Sequence, residues 1–301
     1  MIDRIRVIVN FLALIRVQAL VVRLKEEKRM SQLLRKSQHT EAIDGVKVIH
    51  DVTKENSPLK YVGFKLIELS QNVQYKETLE SEECCIVAVT GKITVSDGTA
   101  VFENIGTRDS VFERIPTDSV YVSNGSEFTI SANSRNARVA LCYSPSVEAK
   151  PTKLIKAEEN SVEHRGKFNN QRLVHNILPD SHPAANSLLV VEVITETANW
   201  SSYPPHKHDQ DNLPEESFLE ETYYHEINPR QGFLFQRVYT DDRSLDETMA
   251  VEDGDVVIVP KGYHPVGVPD GYTSYYLNVM AGPTRVWKFN NDKDHEWILN
   301  R

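Results

Sequence analysis

Beyond about residue 43 the chain reads as one short apolar–polar alternation after another. Segments at 61–69, 85–89, 92–95, 119–122 and 138–142 are rich in Val, Ile, Tyr and Thr, and "TGK", "SDG" and "SNG" punctuate them. The second half does the same at 187–194, 221–227, 232–239, 256–259 and 274–280. Alternation with period two predicts half-buried strands, and no long stretch sustains the 3.6-residue period of a helix. Many short strands at this spacing predict an all-β molecule of sandwiches or barrels.

The pattern also predicts a duplication. Asp118-Ser-Val-Tyr-Val-Ser-Asn-Gly125 lies on Asp255-Val-Val-Ile-Val-Pro-Lys-Gly262 without a gap, at an offset of 137 residues, close to half the chain. With the matching order of strands and turns, this predicts two tandem barrels, one over 30–155 and one over 156–301. The boundary falls near 145–159, where the strand pattern lapses. Residues 7–22 are largely apolar, but Asn10, Arg16 and Gln18 interrupt them. That run is shorter than the ~20 residues a membrane helix needs, and no small-residue cleavage site follows it. Residues 1–29 are therefore expected to be an over-called extension ahead of a true start at Met30.

Composition narrows the function. The 301 residues suffice for two domains with real cores. A net charge of −9 argues against a nucleic-acid surface. Of three cysteines, Cys84 and Cys85 are neighbours and Cys142 stands apart, so no disulfide framework is expected and a reducing, cytoplasmic setting is.

Candidate chemistry concentrates in the second half. His206 and His208 in "YPPHKHDQ" are two apart, so on an extended strand both imidazoles leave one face. Glu221 opens the strand "ETYYHEI", and His264 follows "DVVIVP" in "KGYHPV". Three imidazoles and a carboxylate suit one borderline divalent ion (Zn, Mn, Fe, Ni or Co) with coordination positions left for water or substrate. An H-x-H pair alone is a weak signal; the added Glu and distant His give it weight. Glu220 competes with Glu221 as ligand; this order of ligands resembles the cupin pattern, in which the ligating Glu is followed directly by an alternating strand, and that resemblance implies Glu221. His225 shares a face with Glu221, and simple packing inside the barrel accounts for it. The first half offers only Glu82 or Glu83 near the place of Glu221, and Glu127 at that of His264, with no H-x-H before them. Its barrel is expected to hold no metal.

The order H-x-H, Glu, distant His resembles the two motifs of the cupin superfamily, which implies a bicupin of two jelly-roll barrels. The runs "GKFNNQRLVHNI" (166–177), "LLVVEVITETANWSSYPPHKHD" (188–209), "GFLFQRVYT" (232–240) and "GYHPVGVPDGYTSYYLNVMAG" (262–282) are narrower. They resemble the bacterial 5-deoxy-glucuronate isomerase family of myo-inositol catabolism, from about Met30 to the C terminus. A hexuronate ketol isomerase family with the same ligand types is also similar. The resemblance implies an aldose–ketose isomerase that turns 5-deoxy-D-glucuronate into 2-deoxy-5-keto-D-gluconate. Such an enzyme needs one divalent metal and no nucleotide cofactor and takes a small deoxy-uronate as its partner; a homo-oligomer stays open as its assembly.

For the proton carrier, a metal-bound water, Glu220 and Tyr223 stay open. Arg237 and Tyr239 share a strand face and are candidates for the substrate carboxylate, with a surface ion pair as the rival role for Arg237. Tyr276 and Asn278 share another face and are candidate pocket residues, a satisfied core hydrogen bond being the alternative. Arg172 and His175 are further candidates, with an interface or turn role equally able to explain them. An Fe(II)-dependent cupin dioxygenase and a non-catalytic sugar-binding or storage cupin remain rival functions at this point.

Overall fold

The computed structural model describes residues 31–38 and 44–301, so the expectations for residues 1–29 lie outside the described residues. The described chain is all β, with four short 3-10 turns and no α-helix among the described residues. No helix there is long and apolar enough to cross a membrane.

Four sheets form two barrels. In the first, a six-stranded sheet runs in the order Lys153–Ile155, Ser119–Val122, Glu82–Thr90, Asn136–Pro145, Gly63–Ser70 and Val46–Val52. It faces a four-stranded sheet of Gln74–Thr78, Glu127–Ala132, Ile93–Ser96 and Val101–Ile105. In the second barrel, a seven-stranded sheet runs Leu34–Arg35, Val256–Val259, Glu220–Asn228, Thr273–Ala281, Leu189–Thr195, Arg172–Leu178 and Ser161–Arg165. Its partner sheet holds Trp200–Ser201, Val266–Gly267, Phe233–Tyr239 and Asp246–Glu252. Neighbouring strands pair antiparallel throughout. The chain crosses from one barrel to the other after Ile155 and re-enters a sheet at Ser161. One segment departs from a clean division at the boundary. Leu34–Arg35, expected with the first barrel, pairs with Val256–Val257 of the second.

Both large sheets are buried on both faces, which explains near-continuous apolar runs such as "CCIVAV". Their alternation sorts side chains into three cores. Ile67, Ile86, Val95, Ile130 and Val139 fill the first barrel. Val174, Val191, Tyr223, Leu234, Val257 and Met280 line the second. The third core lies between the barrels, where Phe64, Cys85, Val87, Tyr121 and Cys142 meet Val190, Tyr224, Ile258, Tyr275 and Leu277.

The same interface carries two matching carboxylate clamps. Glu83 Oε1 accepts from the Ser187 and Leu188 amides, both at 2.7 Å, and its Oε2 from the Asn186 amide at 2.7 Å and the Tyr121 hydroxyl at 2.8 Å. Reciprocally, Glu220 Oε2 accepts from the Lys60 and Tyr61 amides at 2.7 and 2.8 Å. Glu83 and Glu220 stand at the same 137-residue offset as the internal sequence match. Each barrel thus uses one acidic side chain to satisfy amides that lead into a strand of the other.

Candidate metal centre and cleft

In an extended strand the side chains alternate between faces, so one strand serves the intervening core with one set and the barrel interior with the other. In Glu220–Asn228, Glu220 and Tyr224 face the first barrel, while Glu221, Tyr223 and His225 point inward. Asn278 and Tyr276 point inward from Thr273–Ala281, directly opposite Tyr223 and His225 in register.

Three of the four expected metal ligands come together here. One ligand atom each from His208, Glu221 and His264 lies within 4.8 Å of the others, all buried. His208 Nε2 is 2.6 Å from Glu221 Oε1, and His264 Nε2 is 3.7 Å from Glu221 Oε2. Each imidazole has its other nitrogen tied to a backbone carbonyl: His208 Nδ1 to Leu219 at 3.0 Å, His264 Nδ1 to Gly262 at 2.9 Å. With Nδ1–H donating, Nε2 of each ring is left as the free lone pair, the usual arrangement behind a metal-binding histidine. Among the described residues neither buried Nε2 has a hydrogen-bond partner of good geometry, and each faces a Glu221 oxygen instead. His206 stands at the side. Its ring centre is 5.1 Å from that of His264 and 6.4 Å from that of His208, and it packs at 4.6 Å on Phe289.

The charges are consistent with a cation at this point. Burial opposes ionisation of Glu221, yet the facing His264 and His208 outweigh it and hold the carboxyl down at about 2. Burial pushes His264 down, while for His208 the same penalty is overcome by Glu221, which pulls a proton towards it. A buried carboxylate that attracts a proton onto a facing imidazole attracts a divalent ion into the same place. Two orphaned imidazole nitrogens around one anionic oxygen pair therefore fit the expected metal.

Around the triad, Asn278 Nδ2 donates to Glu221 Oε2 at 3.1 Å and fixes that carboxylate. The Tyr223 ring centre is 5.8 Å from His264, and its hydroxyl lies 3.4 Å from Ser202 Oγ. Burial, then the Glu221 charge, pushes the Tyr223 phenol well above its usual range. Deeper in, His225 Nε2 meets Gln236 Oε1 at 3.0 Å, and burial lowers its pKa to about 4, so it is neutral. His225 is a packed barrel residue, 5.5 Å from the Tyr276 ring.

Other expected site residues lie elsewhere. Glu220 is on the opposite face of its strand, committed to amides of the first barrel, and so faces away from the cluster that a proton carrier would have to reach. Arg237 and Tyr239 share a face as expected, but it is the outer one. Arg237 is half-exposed and forks onto Asp246 at 2.8 and 2.7 Å, and Tyr239 donates to Asp292 at 2.7 Å beneath the guanidinium. The inward residues of that strand are Leu234, Gln236 and Val238. His175 faces the interface, where Glu192 lies 3.4 Å from its Nδ1 and also pairs with the buried Arg108 of the first barrel. In the first barrel, Cys84 rather than a carboxylate stands at the offset place of Glu221, and Glu127 is exposed, paired with Lys76 at 2.7 Å. No second cluster of three metal-ligating side chains occurs among the described residues.

His206 also borders a cleft of ≈ 960 Å³ whose walls come from 163–172, from Tyr203 and Pro204, and from 287–301. Arg172 lines it. The C-terminal wall, with Trp287, Phe289 and Ile298, escaped the sequence reading because that stretch carries no strand period and no metal-binding residue type in a motif. A cleft of this size accommodates a small ligand.

Comparisons agree with this anatomy. The KduI/IolB family profile matches residues 33–298. Curated relatives named 5-deoxy-glucuronate isomerase include those of Bacillus licheniformis, 72% identical, and Listeria monocytogenes, 66% identical, each over 272 residues covering 90% of this chain and 100% of the relative. Among solved structures, an IolB-like protein of Salmonella typhimurium LT2 superposes with a TM-score of 0.85 at 48% identity, covering 89% of this chain and 100% of its own. An oxalate decarboxylase of Lactobacillus farciminis shares the fold at a TM-score of 0.61 and 12% identity, covering 90% and 91% of the two chains.

Proposed function

The chain belongs to the KduI/IolB family, and from that premise we propose that it is a metal-dependent aldose–ketose isomerase converting 5-deoxy-D-glucuronate into 2-deoxy-5-keto-D-gluconate. The supporting observation is the buried His208–Glu221–His264 cluster with two imidazole nitrogens lacking partners, beside a cleft of sugar size. His208, Glu221 and His264 would hold one divalent ion, with His206 as the fourth ligand. Bound there, the ion supplies Lewis acidity that polarises a carbonyl and the neighbouring hydroxyl.

The chain's own residues supply the rest. Asn278 orients Glu221 through the 3.1 Å contact. Tyr223 keeps its proton on Oη, because burial and the Glu221 charge oppose the phenolate, so at rest it is a donor beside Ser202. Moving a carbonyl one carbon along takes one proton between adjacent carbons and leaves the oxidation level of the whole molecule unchanged, so no nucleotide is called for. We further propose myo-inositol catabolism as its pathway and the cytoplasm as its setting, on the resemblance and on the cysteine usage.

The test is direct. Purified protein is analysed for metal and incubated anaerobically with 5-deoxy-glucuronate under NMR. Aldehyde signals should give way to those of the keto acid without oxygen uptake, and a chelator should stop the conversion. Conversion that needs oxygen, or none at all in the metal-loaded protein, sinks the proposal.

A further inference from the structure

The described chain pairs many of its guanidinium groups with carboxylates: Arg108 with Glu192, Arg138 with Glu68 and Glu226, Arg165 with Glu163, Arg230 with Asp253, Arg237 with Asp246. Arg172 is different. It is half-buried in the wall of the cleft, and among the described residues no carboxylate pairs with it. Its strand sends Val174 into the barrel interior and His175 to the interface, so the alternation points Arg172 inward at the barrel mouth.

Its hydrogen bonds use one nitrogen only. Nη1 donates to the Asn170 carbonyl at 2.9 Å and the Tyr203 carbonyl at 3.4 Å, and among the described residues the Nε and Nη2 edge has no hydrogen-bond partner. The backbone closes over that fixed nitrogen. At Gly166 (φ +87°) an added Cβ would sit 1.8 Å from the Asn170 oxygen and 2.9 Å from Arg172 Nη1, so only glycine allows the loop to pack there. Burial draws the pKa of Arg172 downward, the cost of a cation held in a wall without a counter-ion. His206 lines the same cleft as Arg172. The other cations of the cleft are less suited to an anion. Arg165 is paired and stacked on Trp287, Lys167 is exposed, and Arg301 lies over the Phe168 ring.

We infer that Arg172 is the carboxylate anchor of the site, gripping the acid end of a uronate through its free Nε–Nη2 edge while the carbonyl end lies towards His206 and the metal cluster. The inference rests on the isomerase reading above for the identity of the sugar. It replaces Arg237, which is engaged with Asp246 on the outer surface. A guanidinium offers a carboxylate two parallel hydrogen bonds, which an ammonium cannot match.

Binding and turnover separate the two claims. Calorimetric titration of metal-loaded protein with D-glucuronate and with D-glucose reads the anchor whether or not turnover occurs. Arg172→Ala should weaken glucuronate binding by roughly ten- to a hundredfold and leave the weak glucose binding unchanged, with Arg172→Lys intermediate. Metal content and the melting temperature should match the parent in both variants. On 5-deoxy-glucuronate the loss should appear mainly in KM, and it should shrink on the corresponding primary amide. Unchanged glucuronate binding in Arg172→Ala, or equal losses on acid and amide, overturns the inference. A parent protein that binds glucuronate through Arg172 yet does not isomerise the deoxy-acid leaves the anchor standing and overturns the isomerase reading instead.

Discussion

A single residue step along the Glu220–Asn228 strand separates two unrelated duties. Glu220 grips amides of the first barrel, and Glu221 faces His208 and His264. Replacing His208, Glu221 or His264 by Ala should therefore remove most bound metal, as measured by elemental analysis, with the barrels still folded. Glu127→Ala should leave metal content unchanged, since Glu127 is exposed and bonded to Lys76. Tyr223→Phe removes the proton-bearing oxygen but not the ring. Turnover should fall by about 10²–10⁴, the usual worth of one acid–base group, at unchanged metal content. The inward positions were legible in the sequence wherever chemistry and alternation coincided, as at Glu221, Tyr276 and Asn278. They were not legible in Phe233–Tyr239, where both faces carry apolar side chains. Phe233 and Phe235 face outward and Leu234 and Val238 inward, so the pattern cannot choose a face and the charge of Arg237 draws attention to the wrong one. His206 stands outside the cluster, packed on Phe289, and the two-residue spacing to His208 did not show that.

Among the elements, the pairing of the two large sheets face to face places charges where water does not reach. Arg108 from the first barrel forks onto Glu192 of the second, and Tyr275 donates to the same carboxylate at 2.6 Å. Burial opposes the ionised Glu192, but Arg108, His175 and Tyr275 outweigh it and bring its pKa down to about 2. A carboxyl lower in the folded than in the unfolded state contributes stability above the unfolded value of ~4.3. That contribution disappears as pH falls from there towards about 2, when the folded state must also take up the proton. Denaturant midpoints should accordingly drop steeply across this window, and Glu192→Gln should flatten the slope there. The variant should also be less stable at neutral pH, because it leaves the Arg108 charge buried without its partner. A slope unchanged by Glu192→Gln would falsify this assignment.

For the whole molecule, the core between the barrels is as apolar and as deeply buried as the core of either one. Two units that share a core have little reason to melt separately. A single cooperative transition is expected by calorimetry, with calorimetric and van't Hoff enthalpies equal; two resolved transitions would contradict the shared core. The doubling itself was visible in sequence because strand order and one eight-residue match repeat at a fixed offset. The reach of Leu34–Arg35 into the second barrel was not, because two residues carry no period. That short segment has a consequence for handling the protein. It hydrogen-bonds along Val256–Val259, where the Ile258 amide donates to the Leu33 carbonyl at 2.7 Å. Without it, the rim of the seven-stranded sheet is a fully apolar "VVIV" ribbon with open amides and carbonyls, the kind of surface on which sheets of separate molecules join edge to edge. Leu34–Arg35 thus acts as a selvedge: deleting it is expected to raise the tendency to aggregate, read by light scattering, and an unchanged tendency would speak against that role.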